Sequence, residues 1–271
     1  MKPDKKLGQH FLRDVDVLQE IAAVADPATS SGVLEIGPGE GALTAFLLAA
    51  GKPVVVLDKD PRAIEVIYAR FGDRVEGHWG DALEVDFDAL LPPADGGQKP
   101  IVVGNLPYNV GTAIYRRFLV MSNRVSRMVL MLQKEVATRV VSEPGKKSYG
   151  LLSVLTALLG RAWKVCDVPP EAFYPRPKVH SSVILVELNP DPPLKPHEVK
   201  AFSNFVGKFF QARRKMLRKS SLPRSLLQRH GISPEQRPEQ ITPEAFLALF
   251  RAVSDRADSQ DAGSDDIPGH Q

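Results

Sequence analysis

The strongest constraint on this chain is a repeated pattern of short, predominantly apolar runs, each followed by a helical pattern. The runs are "GVLEIG" (32–37), "PVVVLD" (53–58), "PIVVGN" (100–105) and "RMVLMLQ" (127–133), with a shorter one inside "RVEGHWGDAL" (74–83). A strand with one face in water alternates apolar and polar residues. A strand that is apolar throughout is buried on both faces. The intervening helical patterns include "VDVLQEIAAVA" (15–25), "ALTAFLLAA" (42–50), "PRAIEVIYARF" (61–71) with Pro61 at its start, residues 110–121, and "KEVATRVV" (134–141). The spacing predicts an α/β fold with a mostly parallel, doubly wound sheet covered by helices on both faces.

Further on, the pattern changes. "RAWKVCDV" (161–168) and "SSVILVEL" (181–188) read as two more strands, joined by the proline-rich "PPEAFYPRPKVH". Past the linker-like "NPDPPLKP" (189–196) only helical patterns remain. The expected organisation is a first domain over 1–190, a small basic helical domain over 191–253, and an acidic, disordered tail over 254–271. The formal charge of +3 conceals this division. The tail holds Asp255, Asp258, Asp261, Asp265 and Asp266 against Arg256, a net of −4, so the remainder carries about +7 by subtraction. Residues 199–234 contain nine Lys or Arg and no acid, which suits either a solvated helical face or a polyanion such as nucleic acid.

Some classes are disfavoured. No apolar run approaches the roughly 18 residues of a membrane span, so no membrane association is expected. The opening "MKPDKKLGQHFLRD" has no apolar signal-peptide core. A single cysteine, Cys166, rules out an internal disulfide and a cysteine-rich metal site. No metal is expected, and a reducing, cytoplasmic setting fits.

The first apolar run leads into "EIGPGEG", Glu35-x-Gly37-x-Gly39-x-Gly41. Glycines between a strand and a helix permit a tight turn and close approach of backbone to a ligand. A dinucleotide site would show G-x-G-x-x-G. The G-x-G-x-G spacing here resembles motif I of S-adenosylmethionine-dependent methyltransferases. Asp58 follows Gly37 by 21 residues (58 − 37), at the end of the second run, where a carboxylate can accept from two ribose hydroxyls. Asp81 follows the third strand and is placed to accept from the adenine amine. Taken singly, Asp58 reads equally as a helix cap and Asp81 as a turn residue. Together with the glycine loop they fall at successive strand ends, the edge where doubly wound sheets bind ligands.

The fourth run ends in "GNLPYN" (104–109). The amine of adenine is a poor nucleophile because its lone pair is delocalised into the ring. Two acceptors, the Asn105 side-chain oxygen and the Leu106 carbonyl, would hold its two N–H groups. Pro107 fixes the turn and keeps Leu106 extended. Tyr108 offers a ring on which a base can stack. No strong base is then needed, and catalysis comes from alignment and electrostatics.

These residues, with "GQHFL" (8–12), "MLQKEVATRV" (131–140) and "FYPRPKVHSS" (173–182), occur in the order seen in the small-subunit ribosomal RNA adenine dimethyltransferases. The chain resembles that family over about residues 5–220, its bacterial 16S type most of all. The resemblance implies a Rossmann-like class I methyltransferase fold and S-adenosyl-L-methionine as cofactor. It places cofactor contacts on His10, Leu12, Gly37, Asp58, Asp81 and Asn105, and the glycine loop adds Gly39. Position 10 is often Asn and position 58 often Glu in the family; neither His10 nor Asp58 argues against activity. A family aromatic falls on Phe173, expected against the other face of the target base or, alternatively, in the core. The catalytic set is then Asn105, Leu106, Pro107, Tyr108 and Phe173.

The implied reaction is dimethylation of N6 on two adjacent adenosines in the 3′-terminal hairpin loop of 16S rRNA, within the 30S subunit or its precursor, by a monomer. Leu106 and a basic helix over 209–222 favour this type over the macrolide-resistance 23S rRNA methyltransferases, which usually have Ile in that motif. Phe209, Phe210 and Leu217 of this helix are expected to face a core. Arg213, Arg214, Lys215, Arg218 and Lys219 are left for RNA phosphates. A non-catalytic rRNA-binding assembly factor of the same fold is the rival from another class, and the intact Asn105, Tyr108 and glycine loop weigh against it.

Overall fold

In the computed structural model, residues 1–4 and 7–261 are described, with side chains through Asp255. The chain divides into two compact units, residues 1–141 with 159–192, and residues 142–158 with those from 193 onward.

The first unit is built on a seven-stranded sheet. Its strands are β2 (Val33–Ile36), β3 (Val54–Asp58), β4 (Glu76–Trp79), β5 (Ile101–Asn105), β6 (Arg127–Gln133), β7 (Gly160–Val168) and β9 (Ser181–Leu188), in the order β4-β3-β2-β5-β6-β9-β7. The β4-β3-β2-β5-β6 part is parallel throughout. The late strand β9 lies antiparallel between β6 and β7. Every residue of β2 is buried, as is all but the last residue of β3 and of β5. Their apolar runs lack alternation because helices leave neither face to water. One set of side chains, including Val33, Val54, Val56, Ile101, Val103 and Val129, packs in a single cluster with Leu18, Ile21, Leu43, Leu47 and Ile67. The alternate set, including Leu34, Val55, Leu57, Val102 and Leu130, is equally buried.

The helices start where the sequence places caps. In α1 (Val15–Ala25) the Asp14 carboxylate accepts from the backbone N–H groups of Asp16 and Val17. In α3 (Pro61–Phe71) Asp60 caps the helix ahead of Pro61. Between these comes α2 (Ala42–Leu47), entered directly from Gly41. A short α4 (Phe87–Leu90) precedes β5; α5 (Gly111–Leu119) and α6 (Lys134–Val140) follow β5 and β6.

One feature of this unit has no counterpart in the periodicity. The dipeptide strands β1 (Phe11–Leu12) and β8 (Phe173–Tyr174) pair antiparallel, Phe11 with Tyr174 and Leu12 with Phe173. They draw the "GQHFL" and "FYPRP" segments together beside the sheet.

In the second unit the helices are α7 (Leu151–Leu159, in this unit through Leu158), α8 (Val199–Gln211), α9 (Arg224–Arg229) and α10 (Pro243–Asp261). Phe202, Val206, Phe209, Leu226, Leu227 and Phe246 form its buried interior. The Tyr149 hydroxyl donates to the Ile241 carbonyl at 2.8 Å.

Three boundaries differ from the sequence expectation. Residues 142–158, expected within a 1–190 domain, cluster with the later helices. The basic helix stops early: α8 ends at Gln211, and Leu217–Lys219 form a separate turn of 3-10 helix. Helix α10 runs on to Asp261, into the segment expected to be a disordered tail; the rest of that tail, 262–271, lies outside the described residues.

Candidate active site

The C-terminal ends of β2, β3 and β5 and the loop after β4 open onto one cavity of about 140 Å³. Its walls include His10, Gly37, Gly39, Asp58, Asp81, Asn105, Leu106, Pro107 and Tyr108. Nine of the eleven cofactor and catalytic residues expected from the sequence therefore meet at one place; Leu12 and Phe173 do not.

The glycine loop is shaped by contacts that forbid side chains. Gly37 has φ 72°, and a Cβ there would sit 3.1 Å from the Asn105 carbonyl oxygen. Gly39 has φ 55°, and its Cβ would fall 2.8 Å from the Phe11 ring. Both positions need the left-handed region, which glycine enters without strain.

Asp58 ends β3 and is half turned to the backbone. One carboxylate oxygen accepts from the Asp60 N–H at 2.9 Å, the other from the Gly39 N–H at 3.3 Å. Burial pushes its pKa up, and those two N–H bonds pull it back. Each oxygen keeps further acceptor capacity on the cavity side. The helix cap itself is Asp60, whose carboxyl is held at a pKa of about 2, chiefly by Arg62.

Asp81 has a partner that sequence reasoning missed. Its carboxylate accepts from Lys59 Nζ at 2.6 Å and from the Leu83 N–H at 2.9 Å. The Lys59 contact is the main cause holding its pKa below the ordinary value. It is both a turn residue and a cavity residue.

At the end of β5 the Asn105 amide nitrogen donates to the His10 carbonyl at 3.0 Å. That bond fixes the amide's sense and leaves Oδ1 as the outward acceptor. Neither Oδ1 nor the Leu106 carbonyl has a hydrogen-bond partner among the described residues. The Leu106 N–H is tied to the Met131 carbonyl at 3.2 Å, which anchors the turn to β6. The Pro107 carbonyl takes the N–H groups of Val110 and Gly111 and launches α5. Tyr108 is held at two points: its hydroxyl lies 2.7 Å from Ser181 Oγ, and its ring stacks on the His10 ring at 5.6 Å and 24°. Burial raises the phenol pKa. His10 Nδ1 lies 2.6 Å from the Pro175 carbonyl. Ser181 stands inside the quoted "FYPRPKVHSS", a signal for its role that sequence reading left unassigned.

Two expected site residues lie outside this cavity, and for Phe173 the structure has the second of its two readings, a place in the core. Phe173 is only 5% exposed and packs in the core cluster with Leu12, its β-partner. Its ring supports β1 rather than facing the cavity. Leu12 lines a neighbouring cavity of about 490 Å³, with Glu35, Gly37 and Asn105. Glu35 is fully buried, accepts from the Thr44 hydroxyl at 2.6 Å, and has its pKa raised to about 7 by burial, with Asp58 adding to the rise.

The expected RNA-binding cations lie in the second unit, beyond the end of α8. Arg213 faces Glu239 at 3.8 Å and Arg218 faces Glu235 at 3.4 Å. Arg214, Lys215 and Lys219 are exposed and have no ion-pair partner among the described residues. Among the described residues no cluster of His, Cys, Asp or Glu is placed to hold a metal ion, and no helix is long and apolar enough to cross a membrane.

A buried carboxylate facing a side-chain-free loop, beside two open acceptors and a ring, fits a nucleoside-bearing methyl donor and a planar amine. The glycine loop, whose left-handed backbone and close neighbours leave no place for a Cβ, lets main chain line the cavity and supports that fit.

The chain is similar to known proteins over most of its length. The family model described as "Ribosomal RNA adenine dimethylase" matches residues 1–255. The ribosomal RNA small subunit methyltransferase A of Mesorhizobium japonicum is 40% identical over 264 residues, covering 93% of this chain and 94% of that protein. Its namesake from Paracoccus denitrificans is 41% identical over 267 residues, covering 94% and 92%. Among solved structures, a dimethyladenosine transferase from Plasmodium falciparum superposes with a TM-score of 0.75 at 24% identity, covering 92% of this chain and 98% of that one. The 23S rRNA methyltransferase ErmE gives 0.69 at 24% identity, covering 90% and 99%. These two establish the shared fold.

Proposed function

The chain belongs to the ribosomal RNA adenine dimethylase family, and we propose that it dimethylates N6 of two adjacent adenosines in the 3′-terminal hairpin loop of 16S rRNA. The curated relatives named for the small subunit support that target over 23S rRNA. The proposed substrate is the 30S particle or its precursor, met in the cytoplasm by a monomer, with a contribution to small-subunit biogenesis.

One observation carries the chemistry. The bond from Asn105 to the His10 carbonyl turns Oδ1 outward, next to the unengaged Leu106 carbonyl. Two N–H groups of one adenine amine match two such acceptors.

S-adenosyl-L-methionine, when bound, supplies an electrophilic methyl group on a sulfonium. The residues proposed to hold it are His10, Leu12, Gly37, Gly39, Asp58, Asp81 and Asn105, Leu12 from the neighbouring cavity that shares Gly37 and Asn105. The glycine loop offers backbone at close range, Asp58 accepts from the ribose hydroxyls, and Asp81 accepts from the adenine amine while sharing Lys59. Across the cavity Tyr108 stacks on the target base, its ring kept in plane by Ser181 and His10. Asn105 Oδ1 and the Leu106 carbonyl accept from the target N6–H groups and favour a pyramidal nitrogen with its lone pair free. Pro107 keeps the two acceptors at a fixed separation. As N6 bonds to the methyl carbon, the methyl–sulfur bond breaks and the sulfur leaves as a neutral thioether; the nitrogen becomes acidic, and its proton passes to water. No carboxylate or imidazole is needed as base, since alignment and electrostatics lower the barrier.

The test is transfer of labelled methyl groups from S-adenosyl-L-methionine to undermethylated 30S particles, with mapping of the modified bases. Label on two adjacent adenosines near the 3′ end of 16S rRNA is expected. Label in 23S rRNA, or none, overturns the reading.

A further inference from the structure

A cleft of about 300 Å³ opens within the second unit, at the lower end of the roughly 300–1,000 Å³ of small-ligand pockets. Its walls are mostly apolar, with Phe205 and Phe209 from α8, Met216, Leu217 and Leu222 from the segment beyond it, and Val253 from α10; Ala212, Ser220 and Ser221 complete that side. Its rim carries Lys208, Lys215 and Lys219, and no acidic residue lines it.

The distribution of partners among the cations matters here. Arg213 and Arg218 face Glu239 and Glu235. Lys208, Lys215 and Lys219 have no ion-pair partner among the described residues, and all three are exposed. Three of the uncommitted charges thus gather at one apolar opening, while Arg214, also exposed and without an ion-pair partner among the described residues, does not line it. A phosphate-tracking surface alone needs no apolar floor. An apolar floor under a cationic rim fits a ligand that is anionic at one end and flat and apolar at the other.

We propose that this cleft receives one unpaired nucleotide of the RNA substrate, its base against Phe205, Phe209 and Met216 and its phosphates on the three lysines. The proposal rests on the reading of the chain as an RNA-modifying enzyme and adds to it a second base-binding site in the other unit. The base enters as a plug, so the site reads presence of a base more than its identity. It fixes RNA by a nucleotide that is not methylated.

The test uses the full chain and a single-stranded oligouridine octamer, which lacks the exocyclic amine that Asn105 and Leu106 would hold. Binding is compared with the same octamer carrying one abasic position, across a salt series. We expect the abasic probe to bind about tenfold more weakly, in line with the loss of one stacked base. Ala212→Trp and Ser221→Trp fill the cleft from two different segments, so a folding defect in one leaves the other. Each is expected to weaken the intact octamer about tenfold with an unchanged salt slope. A 4-thiouridine octamer is expected to crosslink within residues 205–222. Equal binding of intact and abasic probes, crosslinks confined to the first unit, or cleft-filling variants that bind like the parent would each overturn the proposal. So would a gain in octamer affinity on truncation after Asp261 that the filled variants fail to show, since the acidic C-terminal segment would then be the occupant. Methylation of 16S rRNA by the parent enzyme is scored separately, so failure of the cleft is told apart from failure of the functional reading.

Discussion

The amide nitrogen of Asn105 lies 3.0 Å from the carbonyl oxygen of His10, a residue 95 positions earlier in the chain. A side chain at the end of a central strand is thus oriented by a main-chain group from outside the seven-stranded sheet. The bond decides which end of the amide faces the cavity.

Asn105→Ala is expected to lower methyl transfer by about 10²- to 10³-fold, the usual cost of one preorganised polar group at a reacting centre. RNA binding measured by filter retention should stay within about twofold. Near-normal transfer by this variant would sink the proposed role of Oδ1.

Tyr108 separates ring from hydroxyl. Tyr108→Phe removes only the bond to Ser181, worth about 1 kcal/mol, and Ser181→Ala should match it in methylation rate. Tyr108→Ala removes the stacking face as well and should cost a further 1–3 kcal/mol or so in kcat/KM. Equal losses for Phe and Ala would show that the ring does not meet the base.

Glu35 sets a pH dependence of stability. Its carboxyl is fully buried, with a pKa raised from 4.5 to about 7, mainly by burial. The folded state therefore prefers the proton more than the unfolded state does. The associated stability is fully present below pH 4.5, declines as pH rises, and is lost above pH 7, a change on the order of 3 kcal/mol. Glu35→Gln keeps an acceptor for the Thr44 hydroxyl and removes the titration. Chemical denaturation between pH 5 and pH 8 is expected to show a flatter profile for the variant and greater stability at pH 8. Parallel profiles would refute the assignment.

The cations of the second unit should not contribute equally. Lys215→Gln and Lys219→Gln should each reduce the salt slope of RNA binding by about 1. Arg213→Gln should reduce it less, since Glu239 already faces that guanidinium at 3.8 Å. Equal effects at positions 213 and 215 would count against the division.

The parallel core of the sheet was legible because burial on both faces leaves an unmistakable trace: "VVVLD" and "IVVGN" have no polar alternation. The site was legible for the same reason, since Gly37, Asp58 and Asn105 stand where such runs end. Tertiary pairing hid the rest. Nothing in "SSVILVEL" reveals that β9 inserts antiparallel between β6 and β7. The dipeptide strands β1 and β8 are too short for any period, yet they decide that Phe173 turns inward with Leu12. The run "FFQARRKML" contains no helix breaker. Its helix stops at Gln211, and the N–H groups of Leu217 and Arg218 are taken up by the carbonyls of Gln236 and Pro234. The Lys59–Asp81 pair joins two loops whose closeness only the folded sheet creates.

The backbone carbonyl that orients Asn105 belongs to a peptide group, and every amino acid supplies one. Substitution at position 10 can alter the ring beside Tyr108 and the contact with Pro175, but it cannot delete the acceptor that steers the amide. The orienting task is insured against point mutation, and the side chain at that position is left free to change with the ligands it meets.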